Sequence, residues 1–415
     1  MTSFEEQTPP GRLALTNGRI ILPDRVVTGR AVVLEAGKIL GIEPPDALSA
    51  DIQRMDVRGR YISPGLIDIH THGALGHSFN EPSEAAWATI ATEQARRGVT
   101  AVLATLATAP IEDLVRCLDF ARQRRATPGD GCQVLGVHVE GPYFSLAQIG
   151  AQNPKHMRRP DDGSADALLE HQAVIRIFTL APELPGARAL VARLSELGIV
   201  AAAGHSAATD RDVLEAMPHG LRHTIHIWSS QSSVVRQGPW RQPGLLEATL
   251  AFDALTAEMI ADNRHLPHTL MRLAYKCKGP DRLCLISDAS AAAGLPEGTH
   301  FQMFGLDCEV RSGVAMLVDQ TAFAGSTTLL NEMLAIVINA CDIPLVEAVR
   351  MATLTPARII GCDQSKGSLA AGKDADLAIF DDDFAAWRTM VGGRWVFAAG
   401  DYIMAGTQRG PRAPA

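Results

Sequence analysis

Five apolar, strand-like runs in this chain each stop at residues that can ligate a metal ion. LIDIHTH ends at His70 and His72, VLGVHVE at Glu140, IVAAAGH at His205, LRHTIH at His226 and LCLISD at Asp288. Side chains at the ends of separate strands converge only if those strands lie side by side. A closed parallel barrel, whose functional face is the carboxyl end of its strands, meets that condition. A doubly wound open sheet is the alternative, but it gathers ligands at a switch point and does not recruit five strand ends around one centre. Four imidazoles and two carboxylates suit one or two borderline divalent cations.

The pattern around these runs supports the barrel. Apolar strand candidates fall near 66–70, 100–106, 134–139, 174–180, 199–204, 222–227, 255–261 and 283–287. Most gaps hold helical patterns such as EAAWATIATEQARRG and ARALVARLSELG, each closed by a glycine. Eight strands alternating with helices imply parallel βα units. Residues from about 12 to 62 are different: LALTNGRII, GRAVVLEAGKILGI and MDVRGRYI are short strands broken by Asn-Gly and Gly turns. The segment from about 365 to 405 has the same texture. The expected fold is therefore α/β: a (β/α)8 TIM barrel over 64–363, with a small β-sandwich built from both chain ends, 1–63 and 364–415.

Composition excludes several classes. Of 415 residues, 47% are hydrophobic and 20% charged, enough apolar material for a large core. The formal charge of −8 comes with no basic block, which argues against a nucleic-acid partner. No apolar run approaches the roughly 18 residues of a membrane span, and MTSFEEQTPPGRLAL lacks the pattern of a signal peptide. Seven dispersed cysteines without a C-x-x-C pair fit free thiols in a reducing cytoplasm.

Within the site, His70 and His72 are two apart on a strand and share a face. A lone H-x-H is as readily a pair of satisfied polar residues, but Pro64-Gly65 before it and Asp68 in the same alternation favour ligation. Glu140 is placed to bridge two cations, and His138, on the same face, to support the ligands from behind. Gly204 lets backbone pack closely beside His205. His223 stands at an odd offset from His226, so it is expected on the opposite face in a structural role, and His219 in a solvated loop. Asp288 ends a buried strand and is the candidate general base.

Assembled, these residues resemble the amidohydrolase superfamily and, within it, the N-acetylglucosamine-6-phosphate deacetylase branch. The resemblance runs almost end to end. It includes ISPGLIDIHTHG at 62–73, HVEGPYF at 138–144, GAQNP at 150–154, TLAPE at 179–183, AGHSAAT at 203–209, IADNRHL at 260–266, SDASAAAGLPEG at 287–298, AGST at 324–327 and GSLAAGKDADLAIFD at 367–381. It implies zinc or iron held by His70, His72, Glu140, His205, His226 and Asp288, with two ions per chain because the H-x-H is kept. It also implies Asp288 as catalytic base, cleavage of an N-acetyl amide, and a homodimer in which Arg241 reaches the partner's site. On the substrate side the branch pattern is altered: Trp228-Ser229-Ser230-Gln231 replaces its usual Phe-Asn-Ala-Met, and Gln152 stands where it has a histidine. Arg241 and His265 match phosphate-side positions. Gln152, Ser229, Ser230, Arg241 and His265 are thus the expected substrate contacts, and the ligand an N-acylated sugar or sugar-like compound, with or without phosphate. Two other readings stay open: an amidohydrolase acting on a different N-acyl or cyclic amide, and a non-catalytic metal-binding protein.

Overall fold

A computed structural model describes residues 11–124, 129 and 131–399. The parts of the expected β-sandwich at 1–10 and 400–415 lie outside the described residues. Eight strands form one parallel sheet in chain order: β1 (Leu66–Thr71), β2 (Val99–Ala107), β3 (Gln133–Glu140), β4 (Ile175–Leu180), β5 (Val200–Ala203), β6 (Leu221–Thr224), β7 (Thr256–Ile260) and β8 (Leu283–Ile286). Nearly every residue of these strands is buried, as expected of a parallel sheet covered on its outer face by helices and filled on its inner one. This is the (β/α)8 barrel that the sequence predicts.

The ring is closed at its carboxyl end by main chain beyond β8. Asp288 N donates to His70 O (2.9 Å), and Ala289 O accepts from His72 N (2.7 Å) and Gly73 N (2.9 Å). Lower down, Asp68 Oδ1 accepts from Ser287 N (3.2 Å). Closure therefore sets Asp288 beside the two histidines of β1. Across the next strands, Ala107, Glu140 and Thr179 are level, as are Leu180 and Ala203, so the strand ends share one rim.

Local sequence explains the outer helices. Helix Glu84–Arg96 starts at Ser83, whose side chain accepts from Ala86 N, and ends before Gly98, which takes φ +82°. Its buried face carries Trp87, whose ring meets Phe79 and Phe120 edge-on at 5.0 and 5.1 Å.

Both ends of the described chain contribute to a β-sandwich. One sheet has the order 394–398, 386–391, 377–380, 61–64, 19–21, 26–27; the other has 38–43, 31–35, 13–16, 53–56. They enclose a core of Leu15, Ile20, Val32, Ile39, Ile62, Leu377, Ile379 and Trp395. Asn17 takes φ +57° in the Asn-Gly turn. Among the described residues no helix is long and apolar enough to cross a membrane, and none of the seven cysteines is in a disulfide.

Two features differ from expectation. The sixth strand stops at Thr224 rather than running to 227, because the chain turns at His226 (φ +21°). A three-stranded antiparallel sheet, 300–303, 306–311 and 314–317, follows β8; its short, half-exposed strands carry too little apolar pattern to announce themselves.

Gly204 tests the packing of the rim. A Cβ there would lie 2.2 Å from Ile225 Cγ1 and 3.2 Å from Thr179 Cγ2. Gly204→Ala should cost about 1–3 kcal/mol through overpacking, read as a lower denaturant midpoint with unchanged slope. Wild-type stability would show that Ile225 moves aside freely.

Candidate active site

The site is built around one carboxylate. Glu140, at the end of β3 and buried, has Oε1 3.2 Å from His205 Nε2, 3.1 Å from His226 Nε2 and 3.5 Å from His70 Nε2. Its Oε2 lies 3.3 Å from His72 Nε2. Asp288 Oδ1 sits 3.3 Å from His72 Nε2 and 3.5 Å from His70 Nε2. All six expected ligands thus come together. Three groups of side chains could hold a cation: His70–His72–Glu140 and Glu140–His205–His226, with Glu140 shared between them, and His70–His138–Glu258, which shares His70.

The backbone throws these side chains inward. His205, His226 and Asp288 have φ of +46°, +21° and +47°, the left-handed region that non-glycine residues seldom occupy. Each follows the last residue of a strand by two, so the strand ends and the next side chain points into the ring. Such conformations cost of order 1–3 kcal/mol each and persist where the surroundings hold them.

The residues present fit a divalent cation on three grounds. His70 Nδ1 is 2.7 Å from Glu258 Oε2, His72 Nδ1 is 3.2 Å from Thr105 O and His205 Nδ1 is 3.1 Å from Gln148 O. An imidazole that donates through Nδ1 presents a lone pair at Nε2, the atom a metal takes. Next, buried His70 Nε2 has no hydrogen-bond partner among the described residues. Finally, two ligands at 2.0–2.1 Å from a tetrahedral ion are roughly 3.3 Å apart, and the contacts above span 3.1–3.5 Å. Lone pairs facing carboxylate oxygens at that separation repel unless positive charge lies between them.

Without that charge the chain keeps protons in the cluster. Burial pushes the His70 and His72 pKa values down, but the surrounding carboxylates outweigh it, raising His70 well above its ordinary value and His72 to about 9. Burial likewise opposes ionisation of Glu140 and Asp288, yet the imidazoles hold both below the usual carboxylate range.

Other expected residues fall as follows. His138 is buried under His70, ring centroids 4.5 Å apart, with Nε2 2.7 Å from Thr179 Oγ1 and Nδ1 3.3 Å from Ile69 O. Burial and the neighbouring His70 lower its pKa to about 3, so it stays neutral. Gln152 lines the cavity, but its amide is engaged: Nε2 donates to Glu140 Oε2 (2.7 Å) and Oε1 accepts from Thr108 N (3.0 Å). Ser229, Ser230 and His265 line the same cavity of about 320 Å³. His265 Nδ1 is held by Asp262 Oδ2 at 2.7 Å, leaving Nε2 for a ligand. Arg241 does not line the cavity of its own chain. It lies on an exposed hairpin, 235–237 with 240–242, beside the exposed Trp240.

The structure corrects one placement. His223 does not face away from the site; it is fully buried, with Nε2 3.1 Å from Glu258 Oε1 and Nδ1 2.7 Å from Thr256 Oγ1. The alternation argument fails because the strand ends at Thr224, between His223 and His226. Sequence reasoning also missed Glu258, although an ionisable residue within the buried strand TAEMI was a signal, and the aromatic walls Phe304 and Phe323. Phe304 meets the His72 ring at 5.7 Å and Phe323 the His265 ring at 4.9 Å.

The chain is similar to several known proteins. Residues 61–396 match the model of the Amidohydrolase family. An N-acetylglucosamine-6-phosphate deacetylase of Haemophilus influenzae is 31% identical over 386 residues, 92% of this chain and 99% of that protein. An N-acetylgalactosamine-6-phosphate deacetylase of Escherichia coli O157:H7 is 31% identical over 346 residues, 83% and 89% of the two chains. The crystal structure of N-acetylglucosamine-6-phosphate deacetylase from Pasteurella multocida superposes with a TM-score of 0.87 at 30% identity, covering 92% of this chain and 99% of that one.

A cation held by this cluster would stabilise the folded chain. Stripping divalent cations with a chelator should lower Tm, and returning them should restore it. At free metal about 100 times Kd the linkage contributes about 2.7 kcal/mol. A Tm indifferent to zinc, iron(II), manganese and cobalt would count against the ligand assignment.

Proposed function

The chain belongs to the amidohydrolase family, and from that premise we propose that it is a metal-dependent deacetylase cleaving the N-acetyl amide of an amino sugar. The substrate class is N-acetylglucosamine 6-phosphate or a related N-acetylhexosamine derivative, as the names of its relatives suggest. The observation that carries the reading is Glu140 shared between two ligand groups with Asp288 alongside. Glu140 placed to serve both groups, with no lysine at the rim among the described residues, also weighs against a cyclic-amide hydrolase built on a carboxylated lysine.

His70, His72, Glu140, His205, His226 and Asp288 are the proposed ligands of two divalent ions, zinc or iron. Charge supports two. Glu140, Asp288 and Glu258 bring three buried carboxylates to the cluster, with Asp68 a fourth against the His70 amide, which one divalent ion leaves under-compensated. Ions held there lower the proton affinity of water and polarise an amide carbonyl. Asp288 does the proton work. It takes a proton from the attacking water as the C–O bond forms, then returns it to nitrogen as the C–N bond breaks, releasing acetate and the amine. His138 braces the His70 ring, and Gln152 fixes the second oxygen of Glu140. Trp228, Phe304 and Phe323 wall the cavity and offer faces to a sugar ring. Ser229, Ser230 and His265 Nε2 are the polar groups proposed for its far end. The matching division of the chain assigns 64–363 to the catalytic unit and 1–63 with 364–415 to the β unit, in a cytoplasmic protein.

Asp288→Asn keeps size and removes basicity. It should retain fold and bound metal but lose about 10²–10⁴-fold in kcat. Near-normal turnover by the metal-loaded variant would assign the proton transfer elsewhere.

Phosphate is the open part of the ligand. Among the described residues lining the cavity, none is Lys or Arg. A homodimer that brings Arg241 to the neighbouring subunit's cavity would supply the missing cation. Arg241→Ala should then reduce kcat/KM for N-acetylglucosamine 6-phosphate by about 10- to 150-fold, the worth of a charged hydrogen bond at 1.5–3 kcal/mol. Activity on N-acetylglucosamine should not change. Equal losses on both would remove Arg241 from phosphate recognition. A wild-type enzyme that prefers the unphosphorylated sugar would assign the Trp228–Gln231 segment to a different N-acyl compound.

A further inference from the structure

Glu258 is an anomaly in the core. It sits on β7 among Ala257, Met259 and Ile260, is 0% exposed, and belongs to no expected ligand set. Burying a carboxylate costs several kcal/mol unless it is fully paired, and this one is. Its Oε2 lies 2.7 Å from His70 Nδ1 and accepts from the main-chain N of His226 at 3.3 Å. Its Oε1 lies 3.1 Å from His223 Nε2, and His223 Nδ1 lies 2.7 Å from Thr256 Oγ1. One assignment of hydrogens satisfies every contact of Glu258: His223 Nε2–H donates to Oε1, and His70 Nδ1–H with His226 N–H to Oε2. Thr256 Oγ1 lies 2.7 Å from His223 Nδ1 and 3.1 Å from Arg222 O, so it fixes that ring.

That assignment has a consequence for one half of the site. His70 can present a lone pair at Nε2 only while Nδ1 carries the proton, and Glu258 is the acceptor that keeps it there. Among the described residues no comparable carboxylate stands behind the other histidines: His72 and His205 rest on the main-chain carbonyls of Thr105 and Gln148, and His226 Nδ1 has no hydrogen-bond partner. A carboxylate behind an imidazole fixes the ring and raises its basicity more than a carbonyl does.

We infer that Glu258, held in turn by His223 and Thr256, is a positioning residue that selectively strengthens cation binding at the His70–His72 half of the site. The inference rests on the two-ion reading above. It gives His223 and Thr256 a purpose: they fix the carboxylate so that it cannot rotate away from His70. It also predicts that the two halves of the site respond unequally to a change on β7.

The experiment is a competitive chelator titration of the protein with cobalt(II), reading metals bound per chain, the affinity of each and the absorption spectrum. The wild-type chain is titrated first and should hold two ions. Glu258→Gln, which preserves size, should weaken one ion by about 10- to 100-fold and leave the other unchanged. In a His70→Ala background, Glu258→Gln should have no further effect on the remaining ion. If the variant does not fold, His223→Gln is read in its place. It spares the His70–Glu258 pair and should weaken the same ion by a smaller factor. A wild-type chain with one ion overturns the two-ion reading and this inference with it. Two ions in the wild type, with both affinities unchanged or equally reduced in the folded variants, overturn the role of Glu258 alone.

Discussion

A buried carboxylate facing four imidazole nitrogens at 3.1–3.5 Å is the constraint on which this structure turns. Taking Glu140 and Asp288 out of water is costly, and a cation between ligands offsets that cost through coordination. The ligands must arrive from different directions, and no single helix or hairpin can supply six. A ring of parallel strands can, because its rim gathers one or two side chains from each strand end. Three of the six are held at positive φ, so part of the folding energy of the barrel is committed to aiming them.

Closure of the ring is coupled to the chemistry through the same few atoms. The seam between β8 and β1 is made by Asp288 N, His70 O, Ala289 O and the amides of His72 and Gly73. The proposed base and the proposed H-x-H ligands therefore belong to the seam itself. Loosening it would separate Asp288 from His72. This ties closure of the barrel to the position of the proposed base.

How much of this was legible in the sequence follows from distance along the chain. The strands carrying His70, Glu140, His205 and Asp288 were readable because a parallel strand buried on both faces shows as an uninterrupted apolar run, and each run stopped at a residue type that has no reason to end a core strand. His223 was misplaced because counting by twos presumes a continuing strand, and the strand breaks before His226. Glu258 escaped because what explains it is remote: its partners are 188 and 35 residues away in sequence. The Phe304 and Phe323 walls escaped for a different reason. They belong to an insertion whose strands are half exposed, so no apolar period marks them.

The division between legible and illegible parts is itself physical. Ligands on strand ends are over-determined: register, burial and charge all specify them, and a change at any one leaves an uncompensated charge in the core. Groups at the far end of the cavity are under-determined. Trp228, Ser229, Ser230 and Arg241 sit on a half-buried loop and an exposed hairpin that carry no seam hydrogen bond, so they can change without unmaking the barrel. A chain can thus keep the whole of its hydrolytic apparatus while its grip on the sugar shifts. Here the residues of the proposed apparatus are all brought together, the loop after His226 departs from the pattern of the branch it resembles, and Arg241 stands off its own cavity. The reaction is consequently better specified by this sequence than the molecule on which it is performed.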